Sequence, residues 1–571
     1  MRAAPLLLIA ALALPLAAQH APARPPERVA CMGQTIADIV VITLAPLEKA
    51  EPRWYDAPVR VMKSTHATTR PAVVRAFLQL AAGEPCDEFR RRESERVLRE
   101  QPFIASADVA VYQAAAGKVT LVVTTRDEFS FIIAMRVSGA SPYLTALTLG
   151  DGNLGGRGIS AAGSWSHNSI RDGFGIAISD YALFGQPVVG QLALSRGDLG
   201  VSSAVFDLSH PFYTNAQRFA WRVAAADLHY LEPFQRADTA PFDVGVTREF
   251  AAAGAGVRIG RPAGAVLNIG AGPSTEFDAT GVPATGYDST LDYAPLFARY
   301  APYRSVRANL FGQLRAVSYA RGVRLGTLNG TQDLKRGLEI DALVGRGFGG
   351  IDGSTADRFA SGLFYLGLGG GSAFSYLQAV IETRRVEGSG SWADAIGSAR
   401  WFLFDRVGDR HTVTVDAEFG GGWRTTRPFE LDIGQPEGGV RGFGASHEAG
   451  GQRVALKVED RWFIGSMGKL VDLGLAPFVD IGRLWAGDVP YGTSTAPKVG
   501  MGVGFLAATP SGSRRTYRMD VAFPVTADPH AGWEVRVTVV NIAELGGFHE
   551  PADVTQGREL ITTATNFSFP R

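Results

Sequence analysis

Val440-Arg441-Gly442-Phe443 lies in a glycine-rich stretch, Gly434 to Gly451, and is followed further along by Phe478-Val479-Asp480-Ile481-Gly482. The first motif sets a cation among small residues in a long loop. The second sets a carboxylate within a short apolar run that reads as a strand. A loop arginine means little alone. Paired with a strand aspartate it poses a question that the rest of the chain must answer.

The chain of 571 residues contains 68 Gly and 10% aromatic residues. After residue 102 it carries no long helical periodicity, only short alternating segments separated by Gly, Asn and Asp turns. That pattern predicts a large antiparallel β structure. The first 23 residues read as a secretory signal: Arg2 is basic, Leu6 to Ala18 is apolar, and cleavage after Ala18 or Ala23 fits the small residues there. No later apolar run approaches the length of a spanning helix; Ile36 to Leu47 is interrupted by Asp38 and Pro46. For an exported β chain, a closed barrel is the architecture that crosses lipid, because closure leaves no unpaired edge. Net charge is zero, so no polyanion partner, and no nucleic acid, is implied.

Residues 24–127 differ from the remainder. Ile36, Val40 and Ile42, with Ile39 and Val41 opposite, predict a strand. Thr69 is the expected cap of a helix with Pro71 in its first turn, carrying Val73, Val74, Phe77, Leu78 and Leu80 and stopping at Gly83. Asp87 is the expected cap of a second helix to about Glu100, whose charged face (Arg90, Arg91, Arg92, Glu95, Arg99) reads as solvated. Strands over Phe103 to Tyr112 and Lys118 to Arg126 follow, joined at Ala116-Gly117. Cys31 and Cys86 are the only cysteines; export permits oxidation, and one disulfide between them is expected over two buried thiols.

From 128 to 543 the chain reads as strand and turn, with sample strands Leu144 to Leu149, Gly158 to Ser166, Phe174 to Tyr181, Val188 to Leu194, Ser203 to Leu208 and Phe219 to Leu228. They alternate apolar with small or polar residues, as a wall between lipid and lumen requires. Trp165, Tyr181, Phe184, Phe212 and Tyr213 fall near strand ends, where an interfacial girdle is expected. At roughly ten residues per tilted strand, this length holds about sixteen strands.

The β-α-α-β-β order of the first region resembles a POTRA domain, the periplasmic module that precedes certain outer-membrane barrels. The stretch from about Ala45 to Thr68 is longer than that pattern needs. Four patches of the barrel resemble the BamA/TamA-like superfamily, also called the bacterial surface antigen family. They are Asp151-Gly152-Asn153-Leu154-Gly155-Gly156-Arg157-Gly158; Ser209-His210-Pro211-Phe212-Tyr213; Gly438 to Phe443 with Val458-Glu459-Asp460-Arg461; and Phe478 to Gly482 with Gly502 to Phe505, Pro510-Ser511-Gly512 and Tyr517-Arg518-Met519-Asp520. The resemblance implies a sixth loop folded into the barrel, with Val440, Arg441, Gly442 and Phe443 delivering the arginine to Asp480 beside Gly482. Glu459, Arg461 and Phe478 are the supporting wall residues. It also implies a weak seam between first and last strands, here Leu144 to Asp151 and Trp533 to Val540. Residues 544–571 run past the usual end of such chains, as an extension or with Glu559 to Phe569 as the true last strand.

The resemblance implies a protein of a Gram-negative outer membrane, its POTRA domain in the periplasm. Such a protein assists insertion of proteins into that membrane or translocation across it. Its partners would be membrane lipid, unfolded or secreted clients docked on the POTRA domain, and accessory assembly subunits. A dedicated secretion pore, a passive porin and a structural surface antigen are the rival readings. The chain contains no Gly-x-Ser-x-Gly elbow, His-Glu-x-x-His or phosphate loop, and its nine histidines are scattered, so no enzyme activity, metal or cofactor is expected. Ser446-His447 reads as part of the inward loop and Arg196-Gly197-Asp198 as a hairpin turn.

Overall fold

Alternation along a strand sends successive side chains to opposite faces, so a closed sheet sorts its residues into an outside and an inside. The computed structural model describes residues 27–47, 66–137, 144–168, 171–236, 240–262, 264–541, 544–545 and 550–561. The signal sequence read over 1–23 lies outside them. Twenty antiparallel strands, from Phe131–Val137 to Glu534–Asn541, pair in chain order and close on themselves. The outer face is apolar: Phe174, Ile176 and Ile178 are exposed at alternate positions of one strand, and Leu310, Val344, Ile381 and Ile481 elsewhere. The inner face is charged yet shielded, with Glu276, Arg307, Asp357, Glu382, Arg453 and Asp480 all buried.

Twenty strands replace the expected sixteen. The expectation assumed even spacing, but the six strands between Phe131 and His210 have only 7 to 10 residues each. The five between Phe219 and Gly347 have 16 to 21. The loop bearing Arg441 follows the fifteenth strand, His411–Trp423. It is therefore the eighth loop on its side, not the sixth. Five strands follow it, as five of sixteen would follow a sixth loop, so the surplus strands lie upstream.

The first barrel strand is Phe131–Val137 and not Leu144 to Asp151, which pairs with it as the second. The last is Glu534–Asn541, which lies beside the first where the barrel closes. Among the described residues these strands have 7 and 8 residues, roughly 25 Å of strand, against roughly 65 Å on the far side at about 3.3 Å per residue. Of the stretch Glu559 to Phe569, the described residues Glu559 to Ile561 form no strand. Glu559 is buried in the lumen, and residues 562–571 lie outside the described set.

The N-terminal region forms a three-stranded sheet in the order Thr35–Leu44, Lys118–Asp127, Ile104–Ala115, the first pair parallel and the second antiparallel. The helices Pro71–Ala76 and Glu88–Glu100 complete it. Val74, Phe77, Val97, Leu98, Val109 and Val123 form its core. Asp87 caps the longer helix by accepting from the Arg90 amide at 2.8 Å. Thr69 caps nothing. Its hydroxyl donates to Asp127 at 2.8 Å, and the shorter helix ends at Ala76. Cys31 and Cys86 form a disulfide, with Cα atoms 5.2 Å apart.

The charged face of the longer helix is solvated only in part: Arg92 is exposed, but Glu95 and Arg99 are covered by the barrel. Arg99 forks onto Asp333 of the barrel at 2.8 and 2.9 Å, Glu95 meets Arg321, and Arg96 donates to the Tyr213 carbonyl at 2.7 Å. Arg514, in a barrel turn, donates to the carbonyls of Arg99, Gln101 and Ile104, where the helix ends with unpaired acceptors. Two of the girdle aromatics also turn toward this domain: the Tyr181 ring lies 6.1 Å from that of Phe103, and Tyr213 packs on the domain core. Phe212 is buried against Ala220 and Phe311, while Phe184 stays exposed. The N-terminal domain thus sits on the rim of the barrel. Arg514→Met removes the helix-end donors and is expected to raise amide exchange across Glu88–Glu100 at least tenfold while leaving the barrel strands unchanged. Unchanged helix exchange would show that Arg514 does not hold the domain.

Candidate functional site

Loop 424–451 has its own small architecture. Leu431–Asp432 pairs with Ala449–Gly450 as a short ladder. The Val440 amide donates to the Ile433 carbonyl at 2.7 Å and the Gly439 amide to that of Gln435 at 2.8 Å, closing a turn. Phe429, Leu431, Ile433, Val440 and Phe443 bury themselves against Ile396 and Leu484 of the wall. The turn is thereby anchored, and Arg441 projects from it.

Arg441 reaches the strand Val471–Trp485. Its Nε and Nη2 donate to the two oxygens of Asp480 at 2.7 and 2.8 Å, and its backbone amide donates to Asp480 at 3.2 Å. This is the planar fork that guanidinium and carboxylate form best. The Nη1 donates to Asp520 at 3.0 Å and lies 3.5 Å from Glu459. The guanidinium carbon rests 3.3 Å from the centre of the Phe478 ring. Glu459 in turn accepts from Arg461 at 2.6 Å and from Arg518 at 2.8 and 2.5 Å. Three guanidinium groups and three carboxylates therefore neutralise one another.

Backbone geometry completes the seat. Gly442 has φ +93°, and an added Cβ would fall 2.9 Å from the Phe523 carbonyl carbon and Pro524 nitrogen. Its amide donates to Glu534 at 2.8 Å. On the wall, a side chain at Gly500 would overlap the Arg441 carbonyl oxygen, and one at Gly482 would overlap Val440. Arg536 donates to the carbonyls of Gly434 at 2.8 Å and Pro436 at 3.1 Å. Near the loop's end, Ser446 donates to Asp528 at 2.8 Å, tying it to the neighbouring turn. Asp528 is partly desolvated. The His530 and Ala531 amides, Ser446 and Lys498 nevertheless hold its carboxyl down at about 2.

Val440, Arg441, Gly442, Phe443, Glu459, Arg461, Phe478, Asp480 and Gly482 are thus one contiguous set. Sequence reasoning quoted Arg518 and Asp520 within a patch without giving them a role at the site, and passed over Glu534 and Arg536. The signal was present: charges two apart on barrel strands, Arg518 with Asp520 and Glu534 with Arg536, face the same side, and that side is the lumen.

No family model matches the chain, and no curated protein matches it. Among solved structures, it is similar to BamA from Haemophilus ducreyi lacking POTRA domains 1–3, at 10% identity over 89% of this chain and 84% of that one, with a TM-score of 0.39. It is also similar to CdiB from Acinetobacter baumannii, at 11% identity over 89% and 74%, TM-score 0.41, and to CdiB from Escherichia coli, at 11% over 89% and 76%, TM-score 0.40.

Removing one partner of a buried ion pair leaves the other uncompensated, at about 3–5 kcal/mol. Arg441→Ala and Asp480→Ala are each expected to lower barrel stability by about that much, and the double variant by no more than either single. Urea unfolding of all three variants measures it. Additive losses would show that the fork carries no coupling.

Proposed function

We propose that the chain is an outer-membrane barrel of the BamA/TamA-like kind, which assists insertion of proteins into the outer membrane or their passage across it. The observation that carries this reading is the loop folded into the lumen and forked onto the wall through Arg441 and Asp480. A passive pore gains nothing from such a loop. A barrel that must hold its shape while its closure is weak gains a brace.

Two further features support it. The wall is shortest where the first and last strands meet, so the apolar band there is too short for an ordinary bilayer and thins it locally. Residues of the N-terminal strand Thr35–Leu44 beyond Ile36 have a neighbour on one side only among the described residues, and Val40 and Ile42 are exposed. That edge suits a client segment added as a further strand. On this reading the N-terminal region is a POTRA domain on the periplasmic side. It docks clients, the seam offers them an unpaired template, and no catalytic group is required.

The test is a cysteine pair joining Phe131–Val137 to Glu534–Asn541, compared oxidised and reduced in one preparation. Oxidation is expected to abolish insertion of a barrel client into vesicles, and reduction to restore it. Full activity of the bridged protein would rule the seam out.

A further inference from the structure

The chain does not end at its last strand. Residues 544–545 pair in parallel with Asp333-Leu334 at the base of the strand Thr331–Gly347, and residues 550–561 lie within the lumen. Glu559 takes a fork from Arg307, accepts from Arg427 of the inward loop at 3.1 Å, and donates its amide to Glu382 at 2.8 Å. Asp553 takes a fork from Arg453. Arg248 donates to the carbonyls of Gln556 at 2.8 Å and Arg558 at 2.6 Å, and Ser398 donates to Glu550. The wall residues Arg248, Arg307, Glu382, Ser398 and Arg453 belong to five different strands. Three tail residues are held by apolar packing: Val554 with Phe429 and Leu431 of the loop, and Leu560 and Ile561 with Phe250, Leu343 and Phe359 of the wall.

This seat is built to be vacated. Buried ion pairs yield little net stability, because desolvation offsets attraction. When such a segment leaves and water enters, both sides recover hydration. An apolar plug would instead leave a dry wall open to water. The partners are also general: guanidinium groups read carboxylates and backbone carbonyls on any extended chain.

We infer that the lumen wall is a binding site for an acidic, largely extended polypeptide segment, which here holds the chain's own residues 550–561 as a built-in competitor. The inference deepens the proposed function, since a client passing through the lumen would displace the tail, but the site itself is independent of transport.

The test is binding in detergent, where no insertion activity is needed. A labelled peptide of residues 550–561 is titrated by anisotropy into the chain ended after residue 549 and into the full chain. Binding to the shortened chain is expected, at least tenfold tighter than to the full chain and at least tenfold tighter than that of a peptide carrying Asp553→Asn and Glu559→Gln. Equal binding to both chains, or indifference to the two carboxylates, would overturn the site. The full chain with Gly420→Cys and Val554→Cys provides a second arm if the shortened chain does not fold, since a Cβ at Gly420 would lie 3.1 Å from the Val554 side chain. Oxidised, this variant should reject the free peptide; reduced, it should bind it as weakly as the full chain does. Equal binding in both states overturns the inference. Failure of the seam test with success here would leave the binding site standing without the transport role.

Discussion

A charge inside a barrel whose outside is apolar cannot be neutralised by the wall's far face; it must find its counter-charge within the lumen. That constraint organises the molecule. The desolvation of each guanidinium is offset only by carboxylates held at fork distance. The carboxylates come from several strands and from the inserted segments. Arg441 gathers Asp480 and Asp520 from two strands, and Glu559 gathers Arg307 from a third together with Arg427 from the loop. Each such junction ties several strands to one inserted segment. The lumen is therefore braced from inside, and a wall that is short at its closure can stay round.

Some of this was legible in the sequence because its signals are local. The Asp87 cap depends on residues three apart. The strands between Leu144 and Leu228 announced themselves by alternation, to within a few residues at their starts. Arg441 and Asp480 stood out because each occupies a position of unusual chemistry for its surroundings. The strand count failed because it averaged over strands that range from 7 to 21 residues. The part of the helix face at Glu95 and Arg99 was misread for a different reason. A run of charges on an isolated helix looks solvated, and the partners that bury it, Arg321 and Asp333, are more than two hundred residues away. The tail was illegible on the same grounds. Nothing in Glu550 to Ile561 announces that its anions meet Arg307 and Arg453 of the wall and Arg427 of the loop.

The inward loop and the tail are not independent inserts. Val554 belongs to the same apolar cluster as Val440 and Phe443, the residues on either side of the Arg441-Gly442 pair. Arg427, at the base of the same loop, is shared between Asp278 of the wall and Glu559 of the tail. Withdrawing the tail would strip one side of the loop's apolar anchor and leave Arg427 short of a carboxylate. The fork to Asp480 would remain, because Arg441 bonds to Asp480 and Asp520 of the wall and not to the tail. A lumen emptied of its tail therefore keeps the brace at the seam side and loosens the loop at its root.

That asymmetry bears on what the barrel can open. The strands nearest the closure, Arg515–Pro524 and Glu534–Asn541, are gripped through Asp520, Glu534 and Arg536 by the tip of the loop and not by the tail. The tail grips Phe242–Ile259 and Tyr303–Val323 on the far side and, through Asp553, the strand Gln452–Met467 that also carries Glu459. Space in the lumen and pairing at the seam are thus governed by different contacts. The tail's departure widens the interior without releasing the seam. Strain on the Arg441 fork would release the seam without emptying the interior. On the proposed function a chain would be admitted and then leave sideways, and the division of contacts between loop and tail would let those two events be separate.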